Sequence, residues 1–117
     1  MIKFFGLLLV LLPLTSSASV SCQEADKTGI SQGARFDNTD NLYKVGGQGR
    51  LQFYSAPDAK CIMKGTFVIP GNDLIAYVEY GGFYRVMYVA DDDQVTGWVK
   101  KNRLIETHKG IAPNYDE

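Results

Sequence analysis

A chain of 117 residues with 12 basic and 13 acidic side chains, and a formal net charge of −1, has room for one ordinary domain and no surplus of positive charge. That balance excludes a basic stripe able to neutralise phosphates, and with it nucleic acid as a partner. Two cysteines and one histidine exclude the usual structural zinc sets.

The chain opens MIKFFGLLLVLLPLTSSASVSC. Lys3 precedes an apolar run from Phe4 to Leu14, and small residues follow, which is the order of a secretory signal peptide. The run is too short to cross a hydrocarbon core of about 30 Å as a permanent helix. Ser16 and Ala18 place cleavage after Ala18, so residues 1–18 read as the signal peptide. The expected destination is the bacterial periplasm. Removal of Lys3 moves the net charge further negative, and no later stretch is apolar enough to span a membrane.

Cys22 follows small residues, as the acylated cysteine of a lipoprotein does, so lipid anchoring through Cys22 is one reading. Such signals carry leucine three positions before the cysteine, where this chain has Ser19. The reading adopted is a disulfide between Cys22 and Cys61, because an oxidising compartment favours pairing of the only two cysteines. Closing that loop contributes roughly 3–4 kcal/mol in the chain-entropy picture.

Residues 19–41 are polar, with Gly29, Gly33 and an Asp/Asn cluster but no helical period, and read as an irregular N-terminal arm. Short strands follow. LYKV (Leu42–Val45) and RLQFYS (Arg50–Ser55) flank the flexible GGQG, and Pro57 breaks the second. TFVI ends at PGND, and LIAYVEY and FYRVMYV are joined by Gly81 and Gly82 as the clearest hairpin. In LIAYVEY either face can be the buried one: Leu74, Ala76 and Val78 alternate with Ile75 and Tyr77. ADDDQ makes the next turn, VTGWV the next strand, and KKNRLI closes the domain. Residues 42–106 therefore read as all-β, a small barrel of about five or six short strands, and 107–117 as a loosely held polar tail. Leu51, Phe53, Phe67, Val86, Tyr88, Trp98 and Leu104 are the side chains expected to fill the barrel.

The pieces LQFYSAPD, PGND, GGFYRV, TGWV and KKNRL, in this order, resemble the bacterial SH3-like domain family. Gly97-Trp98-Val99 placed after Phe83-x-x-Val86 is the most specific part. The family usually has Trp where this chain has Phe83, which keeps the ring and loses an indole donor. The resemblance spans about residues 50–104 and implies an SH3-like barrel with a groove lined by aromatic rings and rimmed by acids. By position Tyr54, Phe83 and Trp98 belong to that groove, with Asp58 on its loop.

Catalysis finds no frame, since the one histidine, His108, falls in the tail and a nucleophile needs its base held within hydrogen-bond reach. Asp91, Asp92 and Asp93 in succession point in different directions, which suits a solvated turn better than a calcium loop. No catalytic residue, metal or cofactor is assigned. The aromatics carry the remaining signal. Phe83 and Tyr84 are neighbours on a strand and cannot both point inward, so at least one should be exposed. Arg85, between Tyr84 and Val86 and near Tyr80, has the character of an interface anchor. The candidate binding residues are Tyr54, Asp58, Tyr80, Phe83, Tyr84, Arg85 and Trp98. The expected function is a non-enzymatic protein-binding domain, an inhibitor or immunity-type protein for an envelope-acting enzyme. The alternative is a peptidoglycan-binding module, which has no attached hydrolase here to target.

Overall fold

One antiparallel sheet and one helix form the regular frame of the described residues, which in the computed structural model run from 18 to 111, with side chains from 21 onward. The expected signal peptide, up to residue 17, and residues 112–117 of the expected tail lie outside them. The strands are β1 (Ala34–Arg35), β2 (Leu42–Val45), β3 (Leu51–Tyr54), β4 (Ile62–Val68), β5 (Asp73–Tyr80), β6 (Phe83–Val89), β7 (Gln94–Lys100) and β8 (Leu104–Lys109). The helix α1 spans Ala18–Gln32, and a 3-10 turn, Lys101–Arg103, leads into β8. In space the order is β4-β3-β7-β6-β5-β2-β8, with β1 paired to β5, so β4 and β8 are the ends of an unclosed path. The all-β expectation holds for the sheet, which has eight strands where five or six were expected, the two-residue β1 and the C-terminal β8 among them.

Turn chemistry explains the hairpin that anchors this order. Gly81 and Gly82 both adopt positive φ, 60° and 86°, which is the two-residue connection whose twist matches that of the strands. β5 and β6 then pair from Tyr80↔Phe83 backwards, and β6 pairs with β7 along its whole length, from Phe83↔Lys100 to Val89↔Gln94.

The inner face buries Tyr43, Val45, Leu51, Phe53, Val68, Leu74, Ala76, Val86 and Val99 in one cluster. Tyr88 and Leu104 pack at its border, as expected of barrel-filling side chains. Trp98 and Phe67 do not belong there. Trp98 is fully buried, but among Tyr54, Val78 and Phe83 on the opposite face, because it lies one residue from the inward Val99. Phe67 is 38% exposed, because it precedes the inward Val68 in the same alternation.

Strand β5 answers the question of its buried face by using both. Ala76 pairs with Val86 and Val78 with Arg85, so Tyr77 is an extra residue, a β-bulge. Leu74 and Ala76 point into the inner cluster, while Val78 joins the outer one. One inserted residue lets an unbroken alternation serve two cores.

The N-terminal arm is not irregular: it holds the 15-residue helix α1. Proline is absent from it, and Gln23, Glu24, Ala25 and Lys27 are good helix formers. It has no acidic residue in its first turn and no basic one in its last, so the helix dipole gives it no help. A helix this short is marginal in water, and packing on the sheet supplies the difference. The Gly33 N–H bonds the Gly29 carbonyl at 2.9 Å, after which Ala34–Arg35 pair with Glu79 and Val78 as β1.

The C-terminal boundary also moves. β8 runs to Lys109, so Thr107 and His108 belong to the sheet rather than to a loose tail. The Thr107 hydroxyl donates to the Leu42 carbonyl at 2.7 Å. Beyond it, the Ile111 N–H reaches the side-chain oxygen of the buried Asn41 at 3.2 Å.

Candidate functional site

The outer face brings together the rings expected to line a groove, and α1 roofs them. Tyr54 and Trp98 are directly paired across β3 and β7, and Tyr54 meets Phe83 edge to face with centroids 5.2 Å apart. Exposures of 7% for Tyr54, 8% for Phe83 and 0% for Trp98 leave almost no ring surface to a ligand. Ile30 of the helix packs on this cluster with Tyr77 and Tyr80.

Four contacts seat the helix along its length. Near its start, Cys22 is disulfide-bonded to Cys61, with Cα atoms 5.9 Å apart, so the expected pairing is present. In the middle, the Trp98 indole N–H donates to Asp26 Oδ1 at 2.7 Å. One turn further on, Gly29 lies so close to the indole that a Cβ there would stand 2.7 Å from Cη2. At the end, Gly33 rests on Val78 and the Glu79 carbonyl. The helix thus crosses the outer face from the β3–β4 loop over β7 to β5.

Arg85 completes this arrangement. It pairs with Trp98 on β7 and Val78 on β5, and its Nε lies 3.7 Å from Asp26 Oδ1, beyond hydrogen-bond reach. That Nε is buried without a hydrogen-bond partner, whereas the side chain as a whole keeps 29% of its surface exposed. Asp26 accordingly takes a hydrogen bond from the indole and lies within ion-pair distance of the guanidinium. Sequence reasoning missed Asp26 because a lone carboxylate in a polar segment carries no pattern.

The other candidates disperse. Asp58 sits in the β3–β4 loop, where its carboxylate accepts the Lys60 N–H at 3.0 Å and its carbonyl accepts the Cys61 N–H at 3.0 Å. Tyr80 is half-buried at the edge of the roofed cluster. Tyr84 faces the other way, as alternation from Phe83 requires, and neither ring is free. It stacks edge-on with Phe36 at 4.8 Å and Tyr43 at 5.3 Å. Burial, reinforced by Tyr84 and then by the Glu106 and Asp40 carboxylates, pushes the Tyr43 hydroxyl well above its ordinary value.

His108 projects from β8 with a 77% exposed side chain, its Nδ1 3.7 Å from Glu106 Oε1. Asp91, Asp92 and Asp93 form the exposed β6–β7 turn, closed by the Ala90 N–H on the Asp93 carbonyl at 2.9 Å. Among the described residues no group of three or more His, Cys, Asp or Glu side chains is placed to hold a metal ion, and no helix is long and apolar enough to cross a membrane. The chain matches no family model, no curated protein and no solved structure in the comparisons made.

Proposed function

We propose that the chain is an exported, non-enzymatic protein-binding domain that grips an envelope partner, as an inhibitor or immunity-type protein does. The observation behind this reading is the roof. The aromatic face expected to be an open groove is filled by α1, down to 0% exposure at Trp98. A peptide stem or glycan wants a concave slot with a few fixed polar groups. A protein partner wants a broad patch instead, and a sheet with its groove filled offers surface rather than slot.

Export to the periplasm is supported by the basic-apolar-small order of the first residues and by the Cys22–Cys61 disulfide. An SH3-like barrel is supported by where the resembling pieces fall. LQFYSAPD lies on β3 and its loop, PGND before β5, GGFYRV on the hairpin into β6, TGWV on β7, and KKNRL on the 3-10 turn ahead of β8. The helix and its bridge are additions to that pattern.

The test is capture from envelope extract by residues 19–117, with isolated peptidoglycan as a parallel bait. Retention of one protein, unaffected by free peptidoglycan, is the expected result. Sedimentation with peptidoglycan and capture of no protein would replace this reading with a wall-binding module.

A further inference from the structure

A row of exposed apolar side chains lies on the outer face of β4, beside the roofed cluster. Ile62 pairs with Tyr54 and Phe67 with Gln52, so both share the face of Tyr54 and stand about 7 Å apart, two residues along β3. Ile69, one residue beyond β4, follows Phe67 by two positions at the start of the turn to β5. The three are 54%, 38% and 51% exposed, whereas isolated exposed aliphatics elsewhere on a surface need no explanation. All three remain exposed beside the helix, whose bridge ends at Cys61, immediately before Ile62.

Charge around the row is mostly positive. The Arg50 guanidinium sits 4.1 Å above the Phe67 ring, and Lys60 and Lys64 are exposed at one end and in the middle of the strand. The nearby acid is Asp58, whose carboxylate lies 3.9 Å from Lys60 Nζ. Arg50 and Lys64 form no ion pair among the described residues. In a chain of net charge −1 this cluster is a local excess, because the acids gather elsewhere: Asp73 with Lys44, Glu79 with Lys101, and the Asp91–Asp93 turn.

The free edge of β4 is unsuited to strand addition. Met63 to Thr66 bulge out opposite Phe53, with Gly65 at φ 77°. The Gln52 side-chain amide fills the gap by donating to the Met63 and Thr66 carbonyls at 2.8 and 3.0 Å. A bulge and a lysine are devices that keep an edge from pairing, which leaves the side-chain face as the docking surface.

We propose that Ile62, Phe67 and Ile69, within the rim of Arg50, Lys60 and Lys64, dock an acidic protein partner. Apolar side chains of that partner seat on the row, and its Asp and Glu carboxylates pair with the rim. This rests on the protein-binding reading and adds to it the surface and the partner's charge.

The test uses oxidised protein and two dye-labelled peptides, one alternating leucine with glutamate and the other leucine with lysine, read by anisotropy at low and physiological salt. The glutamate peptide should bind about tenfold more tightly, as expected where charges of opposite sign meet. It should shift the amide resonances of Ile62, Phe67 and Ile69. Phe67→Ser should weaken it, and the double variant Arg50→Glu/Lys64→Glu should reverse the preference, with Trp98 emission confirming the fold. Absence of binding, absence of a charge preference, or shifts confined to another face would each overturn the proposal. Self-association abolished by Asp92→Lys would overturn it in favour of a second copy whose acidic turn occupies the row. An envelope protein captured equally by wild type and the double variant would remove this surface but keep the protein-binding reading. Capture by neither, with peptidoglycan sedimentation, would remove that reading itself.

Discussion

Replacing Gly29 by alanine sets two effects of opposite sign against each other. In an ordinary helix interior the change gains about 1 kcal/mol, because alanine loses less backbone entropy. Here the new methyl would stand 2.7 Å from Trp98 Cη2, 2.9 Å from Cζ2 and 3.0 Å from Pro57 Cγ. Carbon atoms prefer about 3.5–4.0 Å, so the overlap approaches 1 Å on one side and half of that on the other. Neither neighbour can retreat easily: the indole is fully buried and hydrogen-bonded, and the proline ring is stiff. Overpacking of this kind costs roughly 1–3 kcal/mol, and two unyielding partners put it in the upper half. The net expectation is a loss of about 1–2 kcal/mol after the helix gain. Each kcal/mol lowers Tm by roughly 4–8 °C in a domain of this size. Trp98 is the only tryptophan, so thermal unfolding followed by its emission reports the seat of the helix directly. Ser31→Ala is the control, since Ser31 is exposed and makes only a 3.3 Å contact to the Thr28 carbonyl; it should be neutral or slightly stabilising. A Gly29→Ala protein as stable as wild type, or more so, would mean that α1 does not rest on the indole.

Asp26→Ala should cost about 1–3 kcal/mol, because it strands a buried indole N–H beside the already unpartnered Arg85 Nε. Asp26→Asn keeps an acceptor and should lose less, and equal urea midpoints for the two would show that the hydrogen bond is not what matters. Replacing both Cys22 and Cys61 by serine should remove about 3–4 kcal/mol and shift Trp98 emission to the red; unchanged emission would mean that packing alone holds the helix. Tyr43 has its hydroxyl pKa raised by burial, so folding favours the neutral phenol. That stability is complete below about pH 10, the unfolded value, and is lost as pH rises above it. Denaturant midpoints between about pH 9 and 12 should fall steeply for wild type and less so for Tyr43→Phe; identical slopes would assign the alkaline loss to another group.

Strands were legible because their signals are local. Gly81-Gly82 marks a turn by its backbone freedom alone, and Leu51, Phe53, Val86 and Val99 are inward-facing residues on strands of evident composition. The helix was not legible, since what it buries is not an apolar stripe. Its contacts are made by a cysteine, a carboxylate, two glycines and Ile30, and no hydrophobic period arises from such a set. The pairing of Cys22 with Cys61 was the one available hint that the arm lies against the sheet. The candidate site fared in the same divided way. Tyr54, Phe83 and Trp98 do gather on one face, as the resemblance implied, but their accessibility depends on a segment outside the resembling stretch. The face of β5 resisted prediction because Tyr77 shifts the register without disturbing the alternation in sequence.

The bond between Asp26 and Trp98 joins residues 72 positions apart, and this separation orders events in time. Synthesis runs from the N-terminus, so α1 exists long before the strand that seats it. A helix with little intrinsic stability has nothing to hold it until β5, β6 and β7 have assembled. The expected order is that folding begins in the hairpins and ends with the arm closing across them, a late, long-range step of the kind that slows a small domain. Until then Tyr54, Phe83 and Trp98 stand open to water as an adhesive face, and the two cysteines have no fixed approach to one another. In that order, oxidation of Cys22 and Cys61 would seal a completed fold rather than direct it.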